Sequence, residues 1–257
     1  LQKYKQRFLI NNEKVNYLAK THFNELIFGI KNPYGYKLKL EDFERVNRDE
    51  ITNYHKQQYC SENIQIIIAG KFNKSMMNAL NLYFGSNKWI NRIPDIQPEF
   101  SDYNPKNQKN YIKKPKAVQS AIRIGRELFN RSHEDYHGMQ VLNTILGGYF
   151  GSRLMKNIRE DKGYTYGIGS NVISMKNAGY FFITTEAAVE VTSKAIDEIY
   201  KEINKLTVSE VDDKEMDIVR NYMLGSVLRS HDGPFIIAEN YRELLENGLD
   251  NSFYEKY

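Results

Sequence analysis

The stretch Ile145-Leu146-Gly147-Gly148-Tyr149-Phe150-Gly151-Ser152-Arg153-Leu154 continues through Ile158-Arg159-Glu160-Asp161-Lys162-Gly163 into Tyr164-Thr165-Tyr166-Gly167. Its physics is a helix stop, a helix start and a glycine turn into a strand. The glycine pair ends an apolar helix, Ser152 is placed to cap a second helix through Glu160, and Gly163 stops that helix. Arg159 stands in the last turn, where the helix dipole favours a cation.

Downstream, Thr165 to Ser174 and Gly179 to Thr185 read as two strands about a turn at Lys176-Asn177-Ala178-Gly179. Val191, Ala195, Ile199, Ile203 and Leu206 recur at helical spacing. Met216, Val219, Met223 and Val227 do the same after a Ser209 cap, and a last helix covers Ile236 to Glu246, ending at Asn247-Gly248. Upstream, Ser132 is predicted to cap a helix running to Leu146, with Met139, Leu142, Ile145 and Leu146 as its core stripe. Ala117 to Gly125 alternates, with Val118, Ile122 and Ile124 on one face of a strand.

Earlier still, residues 1–30 read as helical, with Phe8, Val15, Leu18 and Phe23 as core contacts. Asn32-Pro33-Tyr34-Gly35 is a turn. Asn47 with Glu50 forms a capping-box pattern, Ile64 to Ala69 reads as a buried strand closed by Gly70, and Lys74 to Tyr83 as a helix. The interleaving of helices with paired strands predicts an α+β fold and not a doubly wound sheet.

Composition sets outer bounds. The 257 residues suggest one or two domains. A net charge of +4 is too mild to argue for nucleic acid, and the two basic clusters, Lys3 to Arg7 and Lys109 to Lys116, read as solvated surface. The single cysteine, Cys60, excludes an internal disulfide framework and a Cys-rich zinc module. No apolar run approaches the roughly 18 residues of a membrane span. Leu1 is not an initiator Met and no leader pattern follows it, so the chain reads as an excised piece whose localisation is unknown.

Three motifs offer chemistry. His133-Glu134-Asp135-Tyr136-His137 matches the zinc-binding string H-E-x-x-H. At 100° per residue, however, His133 lies about 180° and His137 about 140° from Leu142 on the expected helix, so both point from the core into water. His22-Phe23-Asn24-Glu25-Leu26 is the first half of an inverted H-x-x-E-H site, with Leu26 where the second ligand must be. Gly163 with Gly167-Ile168-Gly169 has a helix before it and a strand after it, the reverse of a phosphate loop. His55, His231 and Cys60 have no partner pattern.

The run Ile145-Leu146-Gly147-Gly148, Ser152-Arg153-Leu154, Ile158-Arg159-Glu160 and Gly163 to Tyr166 resembles the second lobe of the M16 zinc metallopeptidases. Phe28-Gly29, Asn32 to Gly35, the helix to Tyr59 and Ile64 to Gly70 resemble the late part of a first lobe. The resemblance implies two α+β lobes around a peptide chamber. It divides the chain into an incomplete first lobe at 1–90, a linker at 91–110, and a second, substrate-facing lobe at 111–257. It further implies a zinc site in the parent protein, on a His-x-x-Glu-His helix that this sequence lacks, and no zinc in this chain. By the resemblance Arg159 and Tyr166 are substrate-binding residues. A tyrosine hydroxyl can donate to the oxyanion formed as water attacks a peptide carbonyl, and an arginine can hold the substrate backbone or a carboxylate. The implied partners are a peptide substrate and either the missing first-lobe segment or a catalytic M16 subunit. On this reading the chain alone is inactive. Two alternatives stand beside it: a non-catalytic M16-like subunit that binds peptides or a catalytic partner, and an autonomous zinc peptidase using His133, Glu134 and His137.

Overall fold

A computed structural model of the chain describes residues 1–85, 100, 103 and 109–256. Two helices open it, α1 (Gln2–Asn12) and α2 (Val15–Phe28), followed by the turn at Asn32 to Gly35. There Asn32 Oδ1 accepts from the Tyr34 amide at 2.9 Å, the bond that makes Asn a turn former. A short α3 (Asp42–Arg45) precedes α4 (Arg48–Gln58), whose N-terminus carries the expected Asn47/Glu50 capping box. Helix α5 (Lys74–Phe84) is capped by Asn73.

The rest of the fold is organised by three antiparallel strands, β1 (Gln119–Leu128), β2 (Thr165–Ser174) and β3 (Gly179–Ala188), in the order β1-β3-β2. Between β1 and β2 lie α6 (Tyr136–Asn143) and two π-helical turns, Thr144–Gly148 and Met155–Asp161. After β3 come α7 (Thr192–Val208), α8 (Asp213–Arg229), α9 (Pro234–Glu246) and α10 (Ser252–Glu255). The fold is α+β, as the order of elements predicts.

The sheet is the middle of three layers. One face places Ile122, Ile168, Ile183 and Ala187 against Leu146, Leu154 and Ile158 of the π-helical layer and Ala195 and Ile199 of α7. Each such buried aliphatic side chain stabilises the fold by roughly 1.5–3 kcal/mol. The other face is covered at one end only. There Phe23, Ile27 and Phe28 of α2 pack on Tyr180, with Phe182 and Ile173 beside them. Phe28 meets the Tyr180 ring edge-on at 5.9 Å, a favoured aromatic geometry.

Several expectations are corrected. Ile64 to Ala69 has no ladder partner among the described residues and joins no sheet; Ile66 is 47 % exposed. A strand's hydrogen bonds are external, and β-branched residues do not substitute for a neighbour. Val118 precedes β1 and is 82 % exposed. The helix predicted from Ser132 begins at Tyr136, because Asn130 Oδ1 takes the Ser132 amide at 3.1 Å and folds residues 130–135 into turns. Beyond Asn143 that helix widens to π geometry, which rotates the stripe: Ile145 and Leu146 are buried, whereas Leu142 is 45 % exposed. The segment after Ser152 is also mostly π-helical, and the Ser152 hydroxyl, though buried, makes no capping bond. Ser209 is the C-cap of α7, and α8 is capped by Asp212, whose carboxylate accepts from the Lys214 amide at 2.7 Å. The linker predicted at 91–110 lies almost wholly outside the described residues.

Candidate functional site

The uncovered end of the α2-facing sheet surface forms a cleft of about 710 Å³. Its floor is Gln119 and Arg123 of β1 with Thr184 and Glu186 of β3. Pairing dictates this set: Arg123 lies opposite Thr184 and Ala121 opposite Glu186, so these side chains share a face, opposite to Ile122 and Ile183. One wall is the start of α2 and the turn before it, with Lys14, Asn16, Tyr17 and Lys20. The other is the start of β2, with Thr165, Tyr166 and Gly167.

The β2 wall is shaped by a bulge between Thr165 and Ile168. Thr165 Oγ1 donates to the Glu186 carbonyl at 2.7 Å and accepts from the Gly167 amide at 3.1 Å. Thr185 Oγ1 donates to the Gly167 carbonyl at 2.9 Å. These bonds replace the missing ladder bonds and re-aim the side chain between them, as bulges do. Tyr166 is consequently 93 % exposed at the lip of the cleft, and its hydroxyl makes no hydrogen bond among the described residues.

Arg159 sits in the second π-helical turn, its guanidinium 4.7 Å from the centre of the Phe150 ring. It forms no salt bridge among the described residues and does not line the cleft. The turn itself is fixed from both sides. Arg153 grips Glu215 of α8 through two bonds, at 2.9 and 2.6 Å, and this contact raises the Arg153 pKa. Asn157 donates to the buried Glu202 of α7 at 2.6 Å. Gly147 lets the first π-helical turn approach β2, since a Cβ there would meet the Ser170 amide nitrogen at 2.6 Å.

The H-E-x-x-H string does not lie on one helix, because residues 133–135 are turn and α6 starts at Tyr136. His133 precedes α6, stacks on Phe129 at 4.0 Å and accepts from the Asp135 amide through Nδ1. His137, expected to face water, instead packs on Phe253 at 4.7 Å, and burial beside Lys256 lowers its pKa. Glu134 lies in the turn ahead of the helix, so the one-turn spacing that brings two ligands to one ion is absent. Among the described residues no group of three or more His, Cys, Asp or Glu side chains is placed to hold a metal. The described residues therefore do not fit the zinc that the resemblance implies for the parent.

At the second incomplete motif, His22 lies 3.5 Å from Glu25 and accepts from the Lys37 ammonium at 2.8 Å, while Leu26 is half-buried near the end of α2. Burial, then Lys37, lowers the His22 pKa. Cys60 is buried, and His55 stacks on Tyr59. Sequence reasoning reached Tyr166 and missed Arg123, Glu186, Lys14 and Lys20. The latter are ordinary alternating or helical surface charges until α2 is laid across the sheet.

Comparison with known proteins agrees with this architecture. The family model described as the peptidase M16 inactive domain matches residues 45–223. The uncharacterized zinc protease YmxG of Bacillus subtilis is 25 % identical over 191 residues, covering 74 % of this chain and 45 % of that protein. An uncharacterized zinc protease of Mycobacterium leprae is 28 % identical over 142 residues, covering 54 % of this chain and 32 % of that protein. The chain thus spans less than half the length of these relatives. A crystal structure of a peptidase M16 inactive domain from Pseudomonas fluorescens superposes with a TM-score of 0.85 at 21 % identity, covering 99 % of this chain and 62 % of the other. No described helix is long and apolar enough to cross a membrane.

Proposed function

Because the chain belongs to the peptidase M16 inactive-domain family, we propose that it is the substrate-facing portion of an M16-like peptidase. Its first 90 residues belong to one lobe and residues 111–257 to the other. The cleft between α2 and the sheet takes peptide. The Tyr166 hydroxyl donates to the substrate carbonyl as negative charge develops there, and Arg159, outside the cleft lining, holds the backbone or a carboxylate of a substrate that extends beyond the cleft. The zinc ligands and the general base lie outside these residues. On its own the chain binds peptide and hydrolyses none.

The observation that carries this reading is Tyr166: a bulge maintained by three hydrogen bonds holds its hydroxyl at the lip of a cleft, unbonded among the described residues. An exposed tyrosine has no structural need of such a device.

The test is peptide binding and cleavage by the purified chain. A dye-labelled unstructured peptide is expected to bind, and Tyr166→Phe to weaken binding roughly threefold to tenfold, the worth of one hydrogen bond. A fluorogenic peptide is expected to stay intact, and zinc content to stay far below one per chain. Chelator-sensitive cleavage, or one zinc per chain that His133→Ala abolishes, overturns the assignment.

A further inference from the structure

Arg123 is the one charged side chain on the cleft floor from β1, and its charge is met by aromatic rings and, among the described residues, by no carboxylate. It is partly buried between aromatic rings, its guanidinium carbon 4.4 Å from the centre of Phe182 and 5.9 Å from that of Phe23. Its Nη1 is shielded from solvent, and among the described residues it has no acceptor and no carboxylate within salt-bridge distance. Burial holds its pKa below the usual guanidinium range. An arginine stays charged all the same, so the unmet donor is a standing cost. Lys14 and Lys20 on the facing wall are exposed and also form no salt bridge among the described residues. Against these three cations the cleft lining sets one carboxylate, Glu186, which lies diagonally across the strands from Arg123 and does not pair with it.

We infer that the cleft selects an acidic peptide, with Arg123 binding a side-chain carboxylate of an extended segment laid along β1 and β3. This rests on the cleft being the peptide site. The Phe182 ring, 4.4 Å from the guanidinium carbon, restrains the side chain before the ligand arrives, so less rotamer freedom is lost on binding. A carboxylate lying in the cleft meets the part of the guanidinium that lines it and supplies the opposite charge that the lining lacks beside Arg123. Lys14 and Lys20 act at longer range from an exposed wall, so they set the rate of encounter and its salt dependence more than the final affinity. Glu186 repels a second carboxylate at the far end of the floor, which places the preferred acidic residue near Arg123.

The experiment compares two dye-labelled peptides of one length, one containing a single central Glu and the other Gln in its place, by fluorescence polarisation on the 257-residue chain. The Glu peptide is expected to bind at least about tenfold more tightly, a factor equivalent to 1.4 kcal/mol. Arg123→Met keeps the apolar stem against Phe182 and removes the charge; it is expected to bind both peptides alike, at the wild-type affinity for Gln. Lys20→Gln, an exposed change that leaves the fold alone, is expected to keep the preference and to flatten its salt dependence. Equal binding of both peptides to wild-type chain overturns the carboxylate inference and leaves the peptide cleft standing. Binding of neither overturns both. A preference that survives intact in Arg123→Met assigns it elsewhere and removes Arg123 from the proposal.

Discussion

Residues 48–84 and residues 119–208 are both well supplied with apolar side chains and treat them in opposite ways. In the later region Leu154, Ile158, Ile183, Ala195 and Ile199 are fully shielded from solvent. In the earlier one Cys60 alone is buried, while Ile51, Tyr54, Ile66, Phe72, Met76 and Leu82 are exposed. Helices form in both. α4 and α5 close their own hydrogen bonds and take their N-terminal donors from Asn47 and Asn73, so they need no core to be helical. The strand-like segment between them does need one. Ile64 to Ala69 is more β-branched than β1, yet only β1 has β3 beside it. Local signals suffice where the hydrogen bonds are internal, and where they are shared they hold only for a strand whose neighbour is in place.

The sharpest way to break this contrast is to truncate one isoleucine in each region. Ile183→Ala is expected to cost about 3 kcal/mol in urea unfolding, the usual range for emptying a packed site. Ile66→Ala is expected to cost less than about 0.5 kcal/mol. Comparable losses would mean that the earlier segment is packed in solution. Next in size is the clamp that joins the π-helical layer to α8. Arg153→Ala removes two charge-assisted bonds to Glu215 from a largely shielded pair and should lower stability by about 2 kcal/mol. Arg153→Lys should recover only part of that, because an ammonium lacks the two-pronged geometry.

A smaller and more local effect is expected at the capping box. Asn47→Ala should weaken α4 by about 1 kcal/mol, which raises amide exchange there about fivefold while leaving β3 amides unchanged. A matching change in β3 would join the two regions into one cooperative unit. The smallest effect is titration. His22 and His137 both have folded pKa values below the ordinary imidazole value, the first through burial and Lys37, the second through burial and Lys256. The unfolded chain therefore binds more protons, and stability falls as pH drops through about 6.5 and below. Thermal melts between pH 7.5 and 5 should show that decline, and His22→Gln with His137→Gln should flatten it.

Much of the fold is visible in the residues themselves. The hairpin of β2 and β3, the stripe of α7, the capping box of α4 and the stop at Gly163, whose φ is +64°, all follow from local chemistry. The misses share a different cause. Asn130 competes with Ser132 for the start of α6, and the π-helical turns depend on how closely Gly147 and β2 approach, which no spacing rule encodes. The cleft was half visible. Tyr166 stands in a recognisable run, whereas Arg123 alternates with Ile122 and Ile124 as any solvent-facing residue would. Its meaning comes from α2, about a hundred residues away in the chain.

Strand β3 carries the core on its odd-numbered side chains, Phe181, Ile183, Thr185 and Ala187, and the α2 contact and cleft on its even-numbered ones, Tyr180, Phe182, Thr184 and Glu186. Adding or deleting a single residue within it would turn the strand over, bringing Thr184 into the interior and Ile183 into the cleft. Surface loops absorb changes of length, and this strand absorbs none. Variation at the cleft is thereby confined to substitution, one side chain at a time, and its lining can change without the reading frame of the scaffold ever slipping.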